Sequence, residues 1–465
     1  MIATAFGILS VVLLVYVIVL QLTNTALVIL GWLRVADYVR RRPLRSYRYV
    51  AHSKMSMPVS ILVPAYNEEH SIVSSVKSLI ESQFLQLEIV VINDGSTDAT
   101  LDAMISGFDM IATERVPGSG LATQPIRDLY VSRTHPNIAM IDKENGGKAD
   151  SLNAGINYAR FPLVCAIDAD TLLDPGALSR LVWEFQGDED TVAVGGIVRV
   201  VNGSRFEGGR LVEVQTPRTF IANVQIIEYL RAFLGGRIGW SRIGALLIIS
   251  GAFGLFRKEA VIEAGGYDPT TVGEDAELVL RLYRTFDDQG KRCRVTFFPD
   301  PICWTEAPSS WRILTRQRDR WQRGLAELLW KHRDMFMRPK YGRIGFLTLP
   351  YFWIFELLGP FVEVGGFIVV VLGLIFGFIY WPFALLLATL SFVYGLSLSL
   401  IVILIEQRAY ARYPNWRDLA RLGQAAVIEN FGYRQYLAIV RVRAFWTLLR
   451  KTKWGEMERT GFVSE

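Results

Sequence analysis

Residues 3 to 33 are almost wholly apolar, a run far longer than the roughly 20 residues needed to cross a bilayer. The run lacks the basic start and small-residue cleavage site of a signal peptide, so it predicts a membrane-spanning helix. From Val59 the pattern changes to short apolar strands, polar loops and amphipathic helices: VSILVPAYNEE, then SIVSSVKSLIESQ with apolar positions at helical spacing, then LEIVVINDGSTDAT. Two Val/Ile-rich strands separated by one helix make a βαβ unit and predict an α/β domain with a parallel sheet. Further strands are expected at Ile138 to Ile141, Leu163 to Ile167 and Thr191 to Val201, with helices at Gly176 to Phe185 and Glu259 to Ala264. Residues 106 to 137, rich in Gly, Pro, Ser and Thr, read as a surface loop, and 203 to 250 mixes arginines and glycines with amphipathic stretches that give no secure assignment.

The second half returns to the membrane. Residues 311 to 335 alternate arginines with tryptophans and leucines at helical spacing, the composition of a helix lying in the membrane interface. Residues 344 to 381, broken by Pro350, Gly359 and Pro360, predict a re-entrant or interfacial piece followed by a span near 361 to 380; a second span covers 383 to 405. A charge at mid-bilayer costs at least about 2.5–3.5 kcal/mol, so 416 to 450, with Glu429, Arg434, Arg441 and Arg443, reads as an interfacial hairpin. Glu356 and Glu363, in or beside the first of these spans, mark a functional site or a polar cavity. The chain thus divides into a transmembrane helix (1–34), a basic juxtamembrane segment (35–57), the α/β domain (58–308), an interfacial helix (309–340), a re-entrant piece with two transmembrane helices (341–406), an interfacial helical segment (407–450) and a tail (451–465).

Charge adds orientation. The net charge is only +5 over 465 residues, but Arg34, Arg40, Arg41, Arg42, Arg45 and Arg48 crowd behind the first span and place that side in the cytoplasm. Basic residues that border apolar segments, without any nucleic-acid motif, point to a lipid surface and not to nucleic acid. Cys165, Cys293 and Cys303 have neither disulfide nor metal spacing, which implies a reducing compartment and no zinc site.

The candidate chemistry lies in the loops after the strands. Asp168 and Asp170 follow the strand Leu163 to Ile167, and alternation across Ala169 would point both carboxylates into the crevice where open α/β sheets bind ligands. Two carboxylates with a nucleotide diphosphate suffice for Mg²⁺ or Mn²⁺. A bare D-x-D is more often a pair of solvated turn aspartates; its neighbours change the reading. Glu274 and Asp275 open an amphipathic helix, where acidic residues also gain about 0.3–1 kcal/mol from the helix dipole alone.

In order, Ala65-Tyr66-Asn67-Glu68, Asn93-Asp94-Gly95-Ser96-Thr97-Asp98, Ile167-Asp168-Ala169-Asp170, Gly273-Glu274-Asp275 and Gln317-Arg318-Asp319-Arg320-Trp321 resemble the motifs of family 2 glycosyltransferases. More closely, they resemble the membrane-embedded processive polysaccharide synthases, the makers of cellulose, chitin, hyaluronan and poly-N-acetylglucosamine. The resemblance implies a GT-A (Rossmann-like) domain, a UDP-sugar donor, a polysaccharide acceptor and a divalent cation. It implies that Tyr66, Glu68 and Asp94 hold the uridine, that Lys148 reaches the nucleotide, that Asp168 contacts nucleotide or metal and Asp170 the metal. Asp275, beside Glu274, becomes the general base of a single inverting displacement, Gln317 and Arg320 meet the diphosphate or acceptor, and Trp321 forms a platform for a sugar. Gly273 stands where the family often has threonine, which leaves the identity of the donor open.

The expected protein is therefore a multi-pass enzyme of the cell (inner) membrane with a cytoplasmic catalytic domain that builds a β-linked polysaccharide. Transfer of one sugar to a polyprenyl phosphate, and a catalytically silent nucleotide-sensing scaffold, are the other readings. About three crossings make a second copy or an accessory subunit plausible as a partner in enclosing a polymer. The segment around Trp454-Gly455 and Arg459 is similar to the gating loop of hyaluronan and chitin synthases, with two extra residues before the arginine. If it closes over the donor, Trp454→Ala and Arg459→Ala slow polymer synthesis; wild-type rates in both variants would remove the gate.

Overall fold

The computed structural model describes residues 2–44, 47–82, 84–207 and 210–447. Trp454 and Arg459 lie outside the described residues. The strands are β1 (Val59–Ala65), β2 (Leu87–Asp94), β3 (Met110–Ala112), β4 (Ile126–Ser132), β5 (Ile138–Lys143), β6 (Leu163–Ile167), β7 (Leu172–Leu173), β8 (Thr191–Val200), β9 (Arg205–Glu207), β10 (Arg210–Glu213), β11 (Phe253–Arg257) and β12 (Arg294–Thr305). Ten of them form one sheet in the order β3-β4-β5-β2-β1-β6-β11-β8-β12-β7, and β9 pairs with β10 separately. The centre is parallel, β5-β2-β1-β6, as the Val/Ile-rich runs predict. All residues of β2, β6 and β8 are buried, the signature of a sheet covered on both faces.

The structure alters four expectations. The sheet is mixed, because β11 runs antiparallel to both β6 and β8. Residues 106–137 are not only loop: β3 and β4 extend the sheet antiparallel beyond β5, short and largely exposed strands set among turn residues. The unassigned 203–250 holds the β9–β10 hairpin and a helix at Phe220–Leu230, which continues through a π-helical segment, Arg231–Arg237, into Ile238–Arg242.

The fourth concerns the first helix, which runs unbroken over Ile2–Arg41 across the expected boundary at 34. Its first half is exposed apolar surface at Ile8, Val11, Val15 and Leu22. Its second half packs on the domain, where Leu27 and Val35 are buried and the Tyr38 hydroxyl donates to Asp300 Oδ2 at 2.7 Å. Small residues permit this approach: a Cβ on Gly31 would lie 2.2 Å from the carbonyl oxygen of Leu234.

Among the described residues two helices are long and apolar enough to cross a membrane, Gly7–Arg41 and Ala384–Ala409, and a third span exists if the pair Ile344–Leu357 and Gly359–Ile375, bent by 43°, is taken as one. Helices Trp416–Ile428 and Arg434–Thr447 follow, separated by a break at Phe431 and Gly432. Glu356 is paired: Arg441 bonds its carboxylate at 3.2 Å and its carbonyl oxygen at 2.6 Å.

Beneath the sheet's ligand edge, Glu277 of helix Glu274–Asp288 ties that helix to the helix Trp311–Lys331. It accepts from Lys331 Nζ at 2.6 Å, Arg281 Nη2 at 2.7 Å and, at 3.3 Å, faces His332 Nε2. Burial alone would raise its pKa, but the bonds from His332, Arg281 and Lys331 and the charge of Arg281 hold it down at about 2. A lowered folded-state pKa means stability that is complete above the unfolded value near 4.5 and lost as pH falls toward about 2. Glu277→Gln is therefore expected to cost on the order of 3 kcal/mol at pH 7. The difference from wild type shrinks through that acid window in thermal unfolding of detergent-solubilised protein, and a pH-independent difference would contradict the assignment.

Candidate functional site

The loops that follow β1, β2 and β6 emerge along one edge of the parallel sheet, the place where open α/β sheets bind ligands. The loop after β1 is laced to the loop after β2. Asn67 N–H donates to Ser96 Oγ (3.1 Å), Thr97 N–H to Asn67 Oδ1 (2.8 Å), Glu68 N–H to Thr100 Oγ1 (2.8 Å) and Ala99 N–H to Glu69 Oε2 (2.9 Å). Asn67 takes φ +56°, a left-handed conformation that asparagine tolerates better than most residues. Tyr66 consequently stands 48% exposed, its ring open to a planar ligand, while the Glu68 carboxylate accepts from Ser71 Oγ at 2.5 Å.

Asp94, expected to face the uridine, is turned into the protein. Its carboxylate accepts from Lys143 Nζ (2.6 Å), Gly146 N–H (2.9 Å) and Gly147 N–H (2.8 Å). That set of bonds shapes the turn leading into the helix Lys148–Tyr158, whose first residue is Lys148.

Lys148 is the hub of the acidic residues. Its ammonium lies 2.5 Å from Asp168 Oδ1, donates to the Gly251 carbonyl at 2.8 Å and lies 3.7 Å from Glu274 Oε1. The Asp275 carboxylate borders the same glycine: a Cβ on Gly251 would sit 3.5 Å from Asp275 Oδ2 and 3.9 Å from Lys148 Nζ. Asp168 and Asp170 do not share a face by strand alternation, since β6 ends at Ile167 and Thr171 N–H closes a turn onto the Asp168 carbonyl at 3.0 Å. They remain neighbours. Burial, then the Asp168 charge, push Asp170 up to about 7, against the opposing pull of Lys148; Glu306 adds to the push. Burial likewise raises Glu274, with Lys148 opposing and Asp275 reinforcing. Burial works against the charge of Lys148, but Asp168 and then Glu274 hold its pKa well above the usual lysine range.

The helix Trp311–Lys331 closes the site. Ser310 caps it, its Oγ accepting from Ile313 N–H at 3.4 Å. Gln317 is buried, and its Oε1 has no hydrogen-bond partner among the described residues. Trp321 is 44% exposed, backed by the Arg318 guanidinium 4.4 Å from its ring centre, and Arg318 is itself anchored to Glu228 at 2.6 Å. Arg320 lies half-buried on the same helix. The helix is seated on the turn before Glu274 by glycine against glycine: a Cβ on Gly324 would lie 3.2 Å from the Gly273 nitrogen. A Cβ on Gly273 would in turn lie 3.5 Å from the Gly324 Cα, an ordinary contact.

Residues 163–398 match the profile of Glycosyl transferase family group 2, and residues 60–109 that of Glycosyl transferase family 2. The chain belongs to the family 2 glycosyltransferases. It is similar to the probable glycosyltransferase YdaM of Bacillus subtilis (strain 168), with 29% identity over 304 residues, 64% of this chain and 62% of that protein. The chain therefore matches less than two thirds of that relative's length. It is 28% identical over 327 residues, 68% of each chain, to the poly-beta-1,6-N-acetyl-D-glucosamine synthase of Staphylococcus aureus (strain COL). The solved mannosyltransferase PcManGT from Pyrobaculum calidifontis, in complex with GDP-Man and Mn2+, superposes with a TM-score of 0.54 at 20% identity, covering 91% of this chain and 99% of that one; it supports the GT-A fold.

In this glycosyltransferase, Lys148, Asp168, Asp170, Glu274 and Asp275 converge, the loop bearing Tyr66 and Glu68 lies along the same edge, and the helix bearing Gln317, Arg320 and Trp321 is packed against Gly273. Sequence reasoning missed Glu228, which anchors Arg318 behind Trp321, and Glu306, whose charge adds to the push on Asp170. Glu228 is a charged residue inside an otherwise uncharged stretch, ANVQIIEYL, and that contrast was the available signal. Among the described residues no group of three or more His, Cys, Asp or Glu has metal-holding geometry, so a cation here would take Asp168 and Asp170 plus ligands from substrate and water. The donor set suits that: hard carboxylate oxygens whose mutual repulsion a divalent ion would relieve. Gly324→Val is expected to force the closing helix off Gly273 at a cost of about 1–3 kcal/mol. Glycosyl transfer should fall while the protein remains folded by thermal unfolding; wild-type activity in that variant would show that the contact does not shape the site.

Proposed function

We propose that this family 2 enzyme transfers a hexose or N-acetylhexosamine from a UDP-sugar, with inversion, to a growing β-linked polysaccharide at a membrane surface. The observation that carries the reading is the meeting of Lys148, Asp168, Glu274 and Asp275, from three separate segments, around Gly251. The S. aureus relative is named for a polymer of N-acetylglucosamine, which makes UDP–N-acetylglucosamine the first donor to try.

Each residue then has a task. Tyr66 stacks on the uracil, and Glu68 accepts from base or ribose donors. Asp94 acts through the Gly146–Gly147 turn that presents Lys148, a positioning role in place of direct contact. Lys148, whose ammonium lies beside Asp168, is placed to meet the diphosphate. Asp168 and Asp170 hold Mg²⁺ or Mn²⁺, which when bound neutralises charge on the leaving diphosphate. Asp275 accepts the proton of an acceptor hydroxyl as that oxygen bonds to the anomeric carbon; the bond from that carbon to the phosphate oxygen breaks, and its electron pair leaves with UDP. Glu274, beside it, keeps the base oriented at the helix N-terminus. Gln317, whose buried Oε1 lacks a donor, and Arg320 bind diphosphate or acceptor, and the open face of Trp321 stacks on the acceptor sugar. Trp454 and Arg459 are proposed to cover the donor.

The arginines at the end of the first span favour a cytoplasmic catalytic domain in a multi-pass inner-membrane protein. With two or three candidate spans, a second copy or an accessory subunit is a fitting partner for polymer passage. The test is incubation of purified protein with a panel of UDP-sugars and GDP-mannose, with Mg²⁺ or Mn²⁺, measuring nucleotide release and product size. Release from a UDP-sugar, a ladder of products and a loss of about 10²- to 10⁴-fold in Asp275→Asn are expected. A single lipid-linked product would replace polymer synthesis with one-sugar transfer, and release from no UDP-sugar would sink the reading.

A further inference from the structure

The helices Gly7–Arg41 and Ala384–Ala409, the two candidate spans among the described residues, end against adjacent residues of β12. Near the end of the first, the Tyr38 hydroxyl donates to Asp300 Oδ2 at 2.7 Å; just past the end of the second, the Tyr410 hydroxyl donates to the Pro299 carbonyl at 2.6 Å. Arg42 and the segment Tyr410 to Arg412, which follow the two helices, are thereby brought together. They line a cavity of about 470 Å³, within the size range of small-molecule sites, with Val212, Glu213 and Val214 at the end of β10 among its other walls.

The charges around this cavity are of both signs, yet they do not pair with one another. Among the described residues neither the exposed Arg42 nor the half-buried Glu213 makes an ion pair. Arg412 is bonded to Asp174 at 3.4 Å, a carboxylate already held by Arg180 at 2.9 Å and by Trp304 Nε1 at 3.4 Å. A guanidinium has five N–H donors, so that contact leaves most of them available. A simple anion would be drawn by the two arginines and repelled by Glu213. A zwitterion with a phosphate at one end and an ammonium at the other meets all three charges with the right sign. At the ends of membrane spans the molecule that carries both groups is an aminophospholipid, whose phosphate lies at the level of the arginines that flank such spans.

We propose that this cavity binds the phosphoethanolamine headgroup of a membrane phospholipid: Arg42 and Arg412 donate to the phosphate oxygens, and the Glu213 carboxylate accepts from the ammonium. Val212 and Val214 offer apolar surface to the glycerol. The bound headgroup joins the ends of both spans and, through Arg412 and Asp174, reaches the segment that follows Asp168 and Asp170. The inference rests on Gly7–Arg41 and Ala384–Ala409 crossing the membrane, and is independent of which sugar is transferred and to what.

The experiment follows the melting temperature of the full-length protein in detergent during titration with dioctanoyl phosphatidylethanolamine, dioctanoyl phosphatidylglycerol or water-soluble glycerophosphoethanolamine. The ethanolamine lipid is expected to stabilise the wild type at a concentration about fivefold below that of the glycerol lipid. Arg42→Gln should weaken that response about fivefold, the share of one arginine at a headgroup surface, and Glu213→Gln should abolish the preference between the two lipids. Both residues lie outside the acidic cluster and make no ion pair among the described residues, so both variants are expected to accumulate. Equal stabilisation of the wild type by the two lipids, or an ethanolamine preference that survives both substitutions, would overturn the proposal. Stabilisation by glycerophosphoethanolamine at the same concentration as by its lipid would make the ligand a soluble one and would also overturn it. If Arg42→Gln fails to accumulate, Glu213→Gln decides: a lost preference supports the proposal and a retained one overturns it. Recovery of the wild-type chain in the soluble fraction without detergent would remove the spans, and the proposal with them. Absence of UDP release would instead strike the proposed function and leave the lipid titration as it is.

Discussion

One ammonium group among four carboxylates sets the terms for the rest of the molecule. Lys148 touches Asp168 and nearly reaches Glu274, and Asp170 and Asp275 lie within its field. Placing acids this close under low solvent access is unfavourable, and burial makes Asp170 and Glu274 hold protons more tightly than carboxylates in water. Such a cluster persists only where rigid elements prevent it from relaxing. Here each member is set at an element's end: Lys148 and the Glu274–Asp275 pair head helices, and Asp168 and Asp170 lie in the turn that leaves β6.

Those ends are held by groups outside the acidic cluster. Asp94 shapes the turn before Lys148; Gly273 and Gly324 let a helix pass against the turn before Glu274; Glu277 ties both helices together one turn below. The apolar helices are joined to this frame by buried polar contacts. Arg199 of β8 pairs with Glu406 at 2.5 Å between the rings of Trp304 and Tyr410; Arg231 pairs with Glu429; Asp418 accepts from Thr216 Oγ1 at 2.5 Å. Buried ion pairs add little net stability against apolar replacements, and their best-attested use is to fix register. Apolar helix faces slide past one another at small cost, so these contacts decide where the candidate spans sit against the sheet.

The first helix shows the same division. Its apolar length is legible at once, but half of it is not lipid-facing surface: Leu27, Val35 and Tyr38 pack on the domain beside the π-helical segment Arg231–Arg237. Hydropathy cannot separate burial in protein from burial in lipid, because both remove apolar surface from water. Residues 106–137 and 203–250 were opaque for related reasons. An edge strand needs only one apolar face, and a helix packed on all sides shows no amphipathic period.

Local chemistry was sufficient to identify the parallel core, the loop residues at its edge and the acidic pairs Asp168/Asp170 and Glu274/Asp275, since strand runs, helix starts and short motifs are properties of neighbouring residues. Contacts across long sequence separations decided the rest. That Asp94 faces inward, that Lys148 rests among acids and that a helix passes against the turn before Glu274 all depend on groups brought together by packing. Sequence spacing contains no measure of those distances until the sheet and its covering helices close around one core.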